Sequence, residues 1–292
     1  MGVAALFQTF CDDLLISSDT RSVIATRYNA ICTRLNKDFW NVEGTSGGRY
    51  IGSFGRNTAN GRVSDIDMIF EMPLSTYNTY NSYVSNGQSA LLQAVKRSIQ
   101  QTYSSTDVRG DGQVVQVTFA DDMKFEVLPV FKVEAGHYTY ADANNGGSWR
   151  TTNPLPEIEA IASADSDANC NLRPLCRMMR AWKYYCNVPI NGLLLDTLAC
   201  RFISDWAERK QSYLYYDWMT RDFFEYLKNQ PASQTLWYAV GSGQAISNTD
   251  NFRYKATLAH NITKEAITLL GESKEWSAKQ KWRELYGTRF PE

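Results

Sequence analysis

The sequence predicts an α+β chain: a helix first, then a small half mixing strands and helices, then a helical half. Two patterns and one break carry that reading. Strand-like apolar runs occur at 65–71, 113–120 and 123–131. Helical periodicity dominates 156–230 and returns over 255–286. Between them the character changes, near 154–160. Residues 4–40 are expected to be helical, because Val23, Ile24, Tyr28, Ile31 and Leu35 recur at three- and four-residue spacing, with Ser18 or Asp19 as N-cap. A glycine-rich segment follows over 43–62, then the strand at 65–71. Residues 88–103 suggest a helix. The run QVVQVTFA (113–120) alternates like a strand behind the turn GDG (110–112), and MKFEVLPVF (123–131) reads as a further, buried strand. YTYADANNGGSWRTTNP (138–154) reads as a long polar loop. In the helical half, Leu172, Leu175, Met179, Trp182 and Tyr185 share one stripe. The expected domains are 1–155, holding the N-terminal helix and the mixed core, and 156–292, with no internal repeat.

Composition narrows the function. The formal net charge is -1, without the overall basic character expected of a protein that binds long nucleic acid non-specifically. The six cysteines, Cys11, Cys32, Cys170, Cys176, Cys186 and Cys200, form no CxxC pair. They read as small buried apolar side chains in a reducing compartment. His137 and His260 are the only histidines, which disfavours a structural zinc site and leaves few candidates for Ser-His-Asp catalysis. His137 reads as a surface or strand-end residue. The start lacks the basic region of a signal peptide and the myristoylation pattern, and no run of 18 apolar residues exists, so the expected location is the cytosol, without a membrane.

The stretch GSFGRNTANGRVSDIDMIFEMP (52–73) carries the chemistry. Asp65 and Asp67 are like charges one residue apart within an apolar run of Ile66, Met68, Ile69 and Phe70. In a strand they project from the same face, roughly 6.6 Å apart. Glu126 is a third acid inside an apolar strand, facing away from Phe125 and Val127. If the two strands are neighbours, three carboxylates converge, and burying them without a counter-ion is costly. Two divalent cations would compensate and would hold a triphosphate. Gly52 lets backbone approach a phosphate and Ser53 can donate from its hydroxyl. Alone, Asp-x-Asp also fits an exposed edge strand beside an ordinary turn; the upstream Gly-Ser and the later buried acid favour the metal reading.

On these residues the chain resembles the polymerase-β-like nucleotidyltransferases, whose signature is Gly-Ser, about ten residues, then a hydrophobic Asp-x-Asp. DIDMIF with FEVLPVF looks like the branch that contains oligoadenylate synthase, cyclic GMP-AMP synthase and the bacterial CD-NTases. The third acid of that family is usually Asp; here it is Glu126. GGSWRTTNP (146–154) resembles the segment that lines the family's base pocket, which implies Arg150, Thr152 and Asn153 near a base. A capping turn before Pro154 is the alternative for Thr152 and Asn153. LRPLCRMMRAWKYY (172–185) looks like the helix that carries a phosphate-binding lysine after a tryptophan, which implies Lys183; a surface lysine is the alternative. GLLLDTLACRF (192–202) resembles the segment containing Asp196, but has Gly192 and Leu193 where the family often has Ser and a stacking aromatic. The resemblance covers roughly 45–270.

The resemblance implies a polymerase-β-like core with a mixed sheet, a C-terminal helical domain, and an active site between two lobes. It implies a template-independent synthase making a cyclic dinucleotide from nucleoside triphosphates with two Mg²⁺ ions, or Mn²⁺, held by Asp65, Asp67 and Glu126. Arg180 and Trp182 resemble the Arg-x-Trp pattern of CD-NTases associated with bacterial STING receptors, which make cyclic di-GMP. Residues i and i+2 on a helix point about 200° apart. Arg180 is therefore assigned to the nucleotide, because a buried guanidinium without a partner is costly and guanine offers it two acceptors; Trp182 anchors the helix or lies beside the site. GTP is the favoured substrate, with ATP or UTP as alternatives. Arg56 would steady the glycine-rich loop or touch phosphate. GSGQ (241–244) reads as a structural turn, since no acidic strand follows it. A monomer is expected, working in anti-phage (CBASS) signalling through a downstream receptor such as a bacterial STING. No zinc-bound insertion and no basic arm is visible, so no DNA or RNA activator is expected. The rival readings are a pyrimidine-containing cyclic dinucleotide synthase, an RNA-tailing or toxin-type nucleotidyltransferase, and an inactive nucleotide-binding scaffold.

Overall fold

The computed structural model describes residues 2–61, 65–133 and 136–292; the expected glycine-rich segment 43–62 thus ends on a residue outside the described ones. The chain forms two compact units. A sheet unit comprises Ile16–Gly55 and Arg62–Leu155, and a helical unit comprises Met1–Leu15, Arg56–Gly61 and Pro156–Glu292.

Residues 4–40 are not one helix. They form α1 (Val3–Asp13), α2 (Ser18–Leu35) and a π-helical turn over Asn36–Trp40. The break follows from Ser17, whose hydroxyl accepts the Thr20 N–H at 3.1 Å and caps α2 in place of Ser18 or Asp19. α1 belongs to the helical unit rather than to the expected 1–155 domain. Its Leu6, Phe7 and Phe10 are buried there, with Phe7 at 4.8 Å from Trp282 and Phe10 at 4.6 Å from Tyr286, ring centre to ring centre. Residues 56–61 also leave the expected domain, held by Arg173 and Arg177 through the carbonyls of Arg56 and Asn57.

The sheet unit continues with β1 (Gly48–Tyr50), a single helical turn α3 (Gly52–Gly55), β2 (Asp65–Glu71), α4 (Leu74–Asn81), α5 (Gly87–Thr102), β3 (Asp107–Asp111), β4 (Val114–Thr118), β5 (Lys124–Lys132), β6 (Tyr138–Asp142) and β7 (Ser148–Thr152). The strand order is β1-β2-β5-β4-β3, with β6 on β5 and β7 on β6; β2 and β5 run parallel and the other pairs antiparallel. Strand alternation sorts the side chains. Ile66, Met68, Phe70, Phe125, Val127 and Phe131 turn to one face, where they pack with Ile24, Ile31 and Leu35 of α2 and Leu91, Leu92, Val95 and Ile99 of α5. Ile69, Leu128, Val130, Tyr138 and Tyr140 form a smaller cluster on the opposite face. Asp65, Asp67 and Glu126 share that second face by the same alternation.

The stretch 138–154 is a hairpin, not a loop. Tyr138, Thr139 and Tyr140 pair with Thr152, Thr151 and Arg150, and their aromatic and β-branched side chains favour a pleated surface. Asp142 accepts the Asn144 N–H at 3.1 Å, and Gly146 and Gly147 take φ of 88° and 94° in the turn.

The helical unit adds α6 (Leu155–Asp167), α7 (Leu172–Tyr185), α8 (Gly192–Asp205), α9 (Tyr216–Lys228), α10 (Phe252–Gly271) and α11 (Glu275–Tyr286), with a small hairpin of β8 (Leu236–Tyr238) and β9 (Ala245–Ser247). On α7 the predicted stripe is buried at Leu172, Leu175, Met179 and Trp182 but ends there, since Tyr185 is exposed. All six cysteines are free; Cys32, Cys176 and Cys200 are buried as expected, Cys11 and Cys186 half-buried, while Cys170 is exposed in the turn before α7, where no core reaches it. Among the described residues no helix is long and apolar enough to cross a membrane.

Candidate active site

In the sheet unit, the parallel register of β2 and β5 places Asp67 directly beside Glu126 and Asp65 beside Lys124. Neighbouring strands lie roughly 4.8 Å apart, and directly opposed like charges repel. The sequence reading missed both flanking groups. Lys124 offers Asp65 a cation on its own face of the sheet, while Gln116, the β4 partner of Glu126, donates its Nε2 to Glu126 Oε1 at 3.4 Å. The signal for either lay in strand register, which a single sequence does not display. Asp65 is exposed, and Asp67 and Glu126 are half-buried. Among the described residues no three His, Cys, Asp or Glu side chains gather closely enough to hold a metal ion. The three predicted carboxylates therefore share a face without closing on one another.

Gly52 explains its own identity. Its φ is +59°, and a Cβ there would lie 1.8 Å from Asp67 Oδ2. The backbone of the Gly-Ser turn is thus packed against the carboxylate, and the Ile51 N–H donates to the Asp67 carbonyl at 2.9 Å. Ser53, the next residue, is half-buried in the same turn. Further along the unit, Arg150 is exposed on β7 and pairs with Asp142 at 2.6 Å; Thr152 closes β7 opposite Tyr138, and Asn153 follows it.

The helical unit holds a different cluster. Asp196 is fully buried on α8. Its Oδ2 accepts from Arg56 Nε at 3.1 Å, Arg180 Nη2 at 2.7 Å and Thr58 Oγ1 at 2.6 Å, and its Oδ1 from Arg180 Nε at 3.2 Å. Arg56 also donates to Glu157 Oε2 at 3.1 Å, and Glu157 Oε1 accepts from Ser242 in the turn of the β8–β9 hairpin at 2.8 Å. Burial pushes the Asp196 carboxyl up, but Arg180 and Arg56 together outweigh it and hold the group below the ordinary aspartate value. Glu157, with burial dominant over Ser242 and Arg56, is pushed above the ordinary glutamate value.

This cluster corrects the premise on which Arg180 was assigned to guanine. The guanidinium has a buried carboxylate partner sixteen residues along the chain, and Gly192 makes room for it: a Cβ at Gly192 would meet Arg180 Nη1 at 2.8 Å. The Gly192 carbonyl accepts from Arg180 Nη2 at 3.2 Å. Asp196, expected beside a nucleotide, is buried in this cluster and pairs there with Arg56 and Arg180. Trp182 is 1% exposed and stands edge-on to Phe224 at 4.8 Å, in the core. Leu193 packs against the same core. Lys183 differs: it is half-buried on α7, and burial and then Arg180 pull its ammonium below the ordinary lysine value. Thr58 and Glu157 were not legible as members of the cluster, since each is local to its own loop or helix in sequence.

Residues 1–165 match the family described as the Second Messenger Oligonucleotide or Dinucleotide Synthetase domain. The chain belongs to that family. It is a nucleotidyltransferase of the CD-NTase type. Among solved structures it resembles CdnC of Escherichia coli MS115-1, determined with ATP, at a TM-score of 0.71 and 14% identity, covering 100% of this chain and 99% of that one. A mutant of the Vibrio cholerae di-nucleotide cyclase DncV gives a TM-score of 0.68 at 13% identity over 84% of this chain and 70% of that one. CdnG of Bradyrhizobium diazoefficiens, in complex with GTP, gives 0.67 at 10% identity over 98% and 95%. At these identities the likeness is one of fold. No curated protein sequence matches this one.

Proposed function

We propose that the chain condenses two nucleoside triphosphates into a cyclic dinucleotide at the carboxylate face of its sheet. One observation supports this above the others. Asp67 and Glu126 stand in register on adjacent parallel strands, and the Gly52 backbone lies against Asp67. A fold gains nothing from setting two like charges side by side; a site for a hard divalent cation does. The donors are all carboxylate oxygens, the set that Mg²⁺ or Mn²⁺ takes, and Asp65, Asp67 and Glu126 would hold the ions. Such ions, when bound, polarise the phosphoryl group and lower the pKa of an attacking hydroxyl.

The remaining roles belong to the chain itself. Gly52 and Ser53 would cradle phosphate oxygens with backbone and hydroxyl. Lys183 would donate hydrogen bonds to phosphate oxygens, its depressed pKa restored by an arriving anion. Thr152 and Asn153 would read the base, with Arg150 beside them. Arg180 pairs with Asp196, so a role for it toward guanine would be exercised from within that ion pair. Adenine, guanine and uracil all offer Asn153 a complementary edge. In keeping with the family's description, the product would act as a second messenger.

The test is incubation with each labelled triphosphate, singly and in pairs, with Mg²⁺ or Mn²⁺. A phosphatase-resistant small product is expected, and the pair that yields it identifies the bases. Label transferred only to added RNA would replace this reading with the tailing enzyme, and a folded protein that turns nothing over would replace it with the scaffold.

A further inference from the structure

The helical unit carries a cleft lined by Arg221, Asp222, Glu225, His260, Lys264, Ile267 and Thr268, with a volume of about 390 Å³. That lies within the range of small-molecule sites. It is built by two helical stripes. Arg221, Asp222 and Glu225 share a face of α9; His260, Lys264, Ile267 and Thr268 follow the four-, seven- and eight-residue spacing of one face of α10. None of the residues assigned to nucleotidyl transfer lies here.

His260 is 6% exposed, and Lys228 Nζ stands 3.0 Å from its Nδ1. An ammonium has only protons to offer, so Nδ1 accepts and the imidazole carries its proton on Nε2, 3.9 Å from Glu225 Oε1. The acidic groups of the cleft are engaged. Asp222 accepts from Trp206 Nε1 at 3.0 Å and Arg221 Nε at 2.7 Å, and Glu225 pairs with Lys228 at 3.2 Å. Lys264 makes no ion pair among the described residues, and the terminal nitrogens of Arg221 make no hydrogen bond there. Burial lowers the His260 pKa first, Lys228, Lys264 and Arg221 lower it further, and of the charges that face it Glu225 alone raises it. The field at this histidine is thus that of a cationic cleft.

We infer that the α9–α10 cleft binds a phosphoryl group, held by Arg221, Lys264 and the His260 Nε2–H. Ile267 and Thr268 supply the less polar wall against which an organic portion of the ligand would rest. The phosphoryl group comes either as free phosphate or on a mononucleotide, and the volume accommodates both.

The chain's two histidines make the test direct, because its imidazole NMR spectrum contains two sets of signals. His137→Gln assigns them. The full-length protein is titrated with inorganic phosphate, with GMP, and with sodium chloride at matched ionic strength. Phosphate is expected to shift the His260 signal and raise its apparent pKa by about one unit, since an adjacent anion favours the imidazolium; the His137 signal stays in place. A shift with GMP at much lower concentration assigns the site to a nucleotide, and equal concentrations assign it to the phosphoryl group alone. Arg221→Gln combined with Lys264→Gln abolishes the shift while the thermal midpoint stays near that of the parent. If neither phosphate nor GMP moves His260 beyond the chloride control in the unmutated protein, the cleft is not an anion site.

Discussion

In the helical unit, the buried carboxylate of Asp196 meets two guanidiniums and a hydroxyl, and Glu157 accepts from Nη1 of Arg56. In the sheet unit, Asp67 and Glu126 sit side by side with the same sign. Both clusters hold several ionisable groups, and both contain residues expected to contact a nucleotide. The difference lies in the signs brought together, opposite in the first cluster and like in the second. Within the helical unit the opposite charges compensate one another, so the cluster is a structural clasp holding residues 56–61 to α7 and α8. On the sheet, two like charges stand in register beside Lys124 and Gln116, an arrangement that a divalent cation would stabilise further. Removing a charge from the first cluster should therefore damage the fold, and from the second, the chemistry.

The largest effect tests the second half of that contrast. Asp67→Asn, alone or with Asp65→Asn, should lower product formation by at least ~10³-fold, the scale of losing several kcal/mol of charge stabilisation. Glu126→Gln should do likewise while leaving the urea midpoint unchanged or raising stability by up to about 1 kcal/mol, because a like-charge pair is relieved. A clear loss of stability in Glu126→Gln would put Glu126 in a structural role and break the comparison.

Next in size is Asp196→Asn. Leaving two guanidiniums around a neutral amide should cost about 3–5 kcal/mol in unfolding free energy. The pH dependence has a defined sign. The folded pKa of Asp196 lies below its unfolded value, about 3.9. Its contribution is therefore fully present above that value and is lost as pH falls through the lower folded one. Denaturation of parent and variant over a pH series should show the gap constant near neutrality and closing below about pH 4. Glu157 acts in the opposite sense, since its raised pKa makes its protonation favour the folded state as pH falls. A gap that instead widens as pH falls toward about 4 would mean that Glu157, whose pKa Asp196 helps to raise, dominates the clasp.

Much of this was legible in the sequence where the determinants are local. β2 and β5 announced themselves by apolar runs interrupted at alternate positions, and the face shared by Asp65, Asp67 and Glu126 follows from the period of two. The β6–β7 hairpin was not legible, because its polar, glycine-rich composition resembles a loop and its pairing is seen only in cross-strand register. The ion pair of Arg180 was not legible either. Periodicity on α7 alone could orient the side chain, but its partner lies on α8, and no rule of helical spacing connects residues on different helices. The displacement of α1 into the helical unit is of the same kind: Phe7 and Phe10 mark an apolar stripe without saying that Trp282 and Tyr286 will cover it.

A smaller effect sharpens the sheet side of the comparison. Gly52→Ala places a side chain at φ +59° and drives a Cβ into Asp67. The backbone penalty alone is about 1–3 kcal/mol. Because the turn can open away from β2 to relieve the clash, thermal stability should fall modestly while turnover falls at least about tenfold through a raised KM for triphosphate. Unchanged KM with lowered kcat would instead show that the turn positions Asp67 without touching substrate.

The smallest effect sharpens the other side. Gly192 does not occupy the left-handed region, so nothing in its backbone demands glycine; what it provides is room, since a Cβ would meet Arg180 Nη1 at 2.8 Å and Nη2 at 3.1 Å. Those atoms end a flexible side chain and can retreat by a few tenths of an ångström. Retreat lengthens the hydrogen bonds to Asp196 and to the Gly192 carbonyl, so Gly192→Ala should destabilise by about 1 kcal/mol or less, part of the loss being returned by the better helix propensity of alanine. A double-mutant cycle isolates the cause. With Arg180→Met in the background the clash partner is gone, and Gly192→Ala should become neutral or slightly stabilising, giving a coupling of at least about 0.5 kcal/mol. Equal destabilisation in both backgrounds would mean that the glycine serves the start of α8 itself, and the fit between Gly192 and Arg180 would lose its energetic meaning.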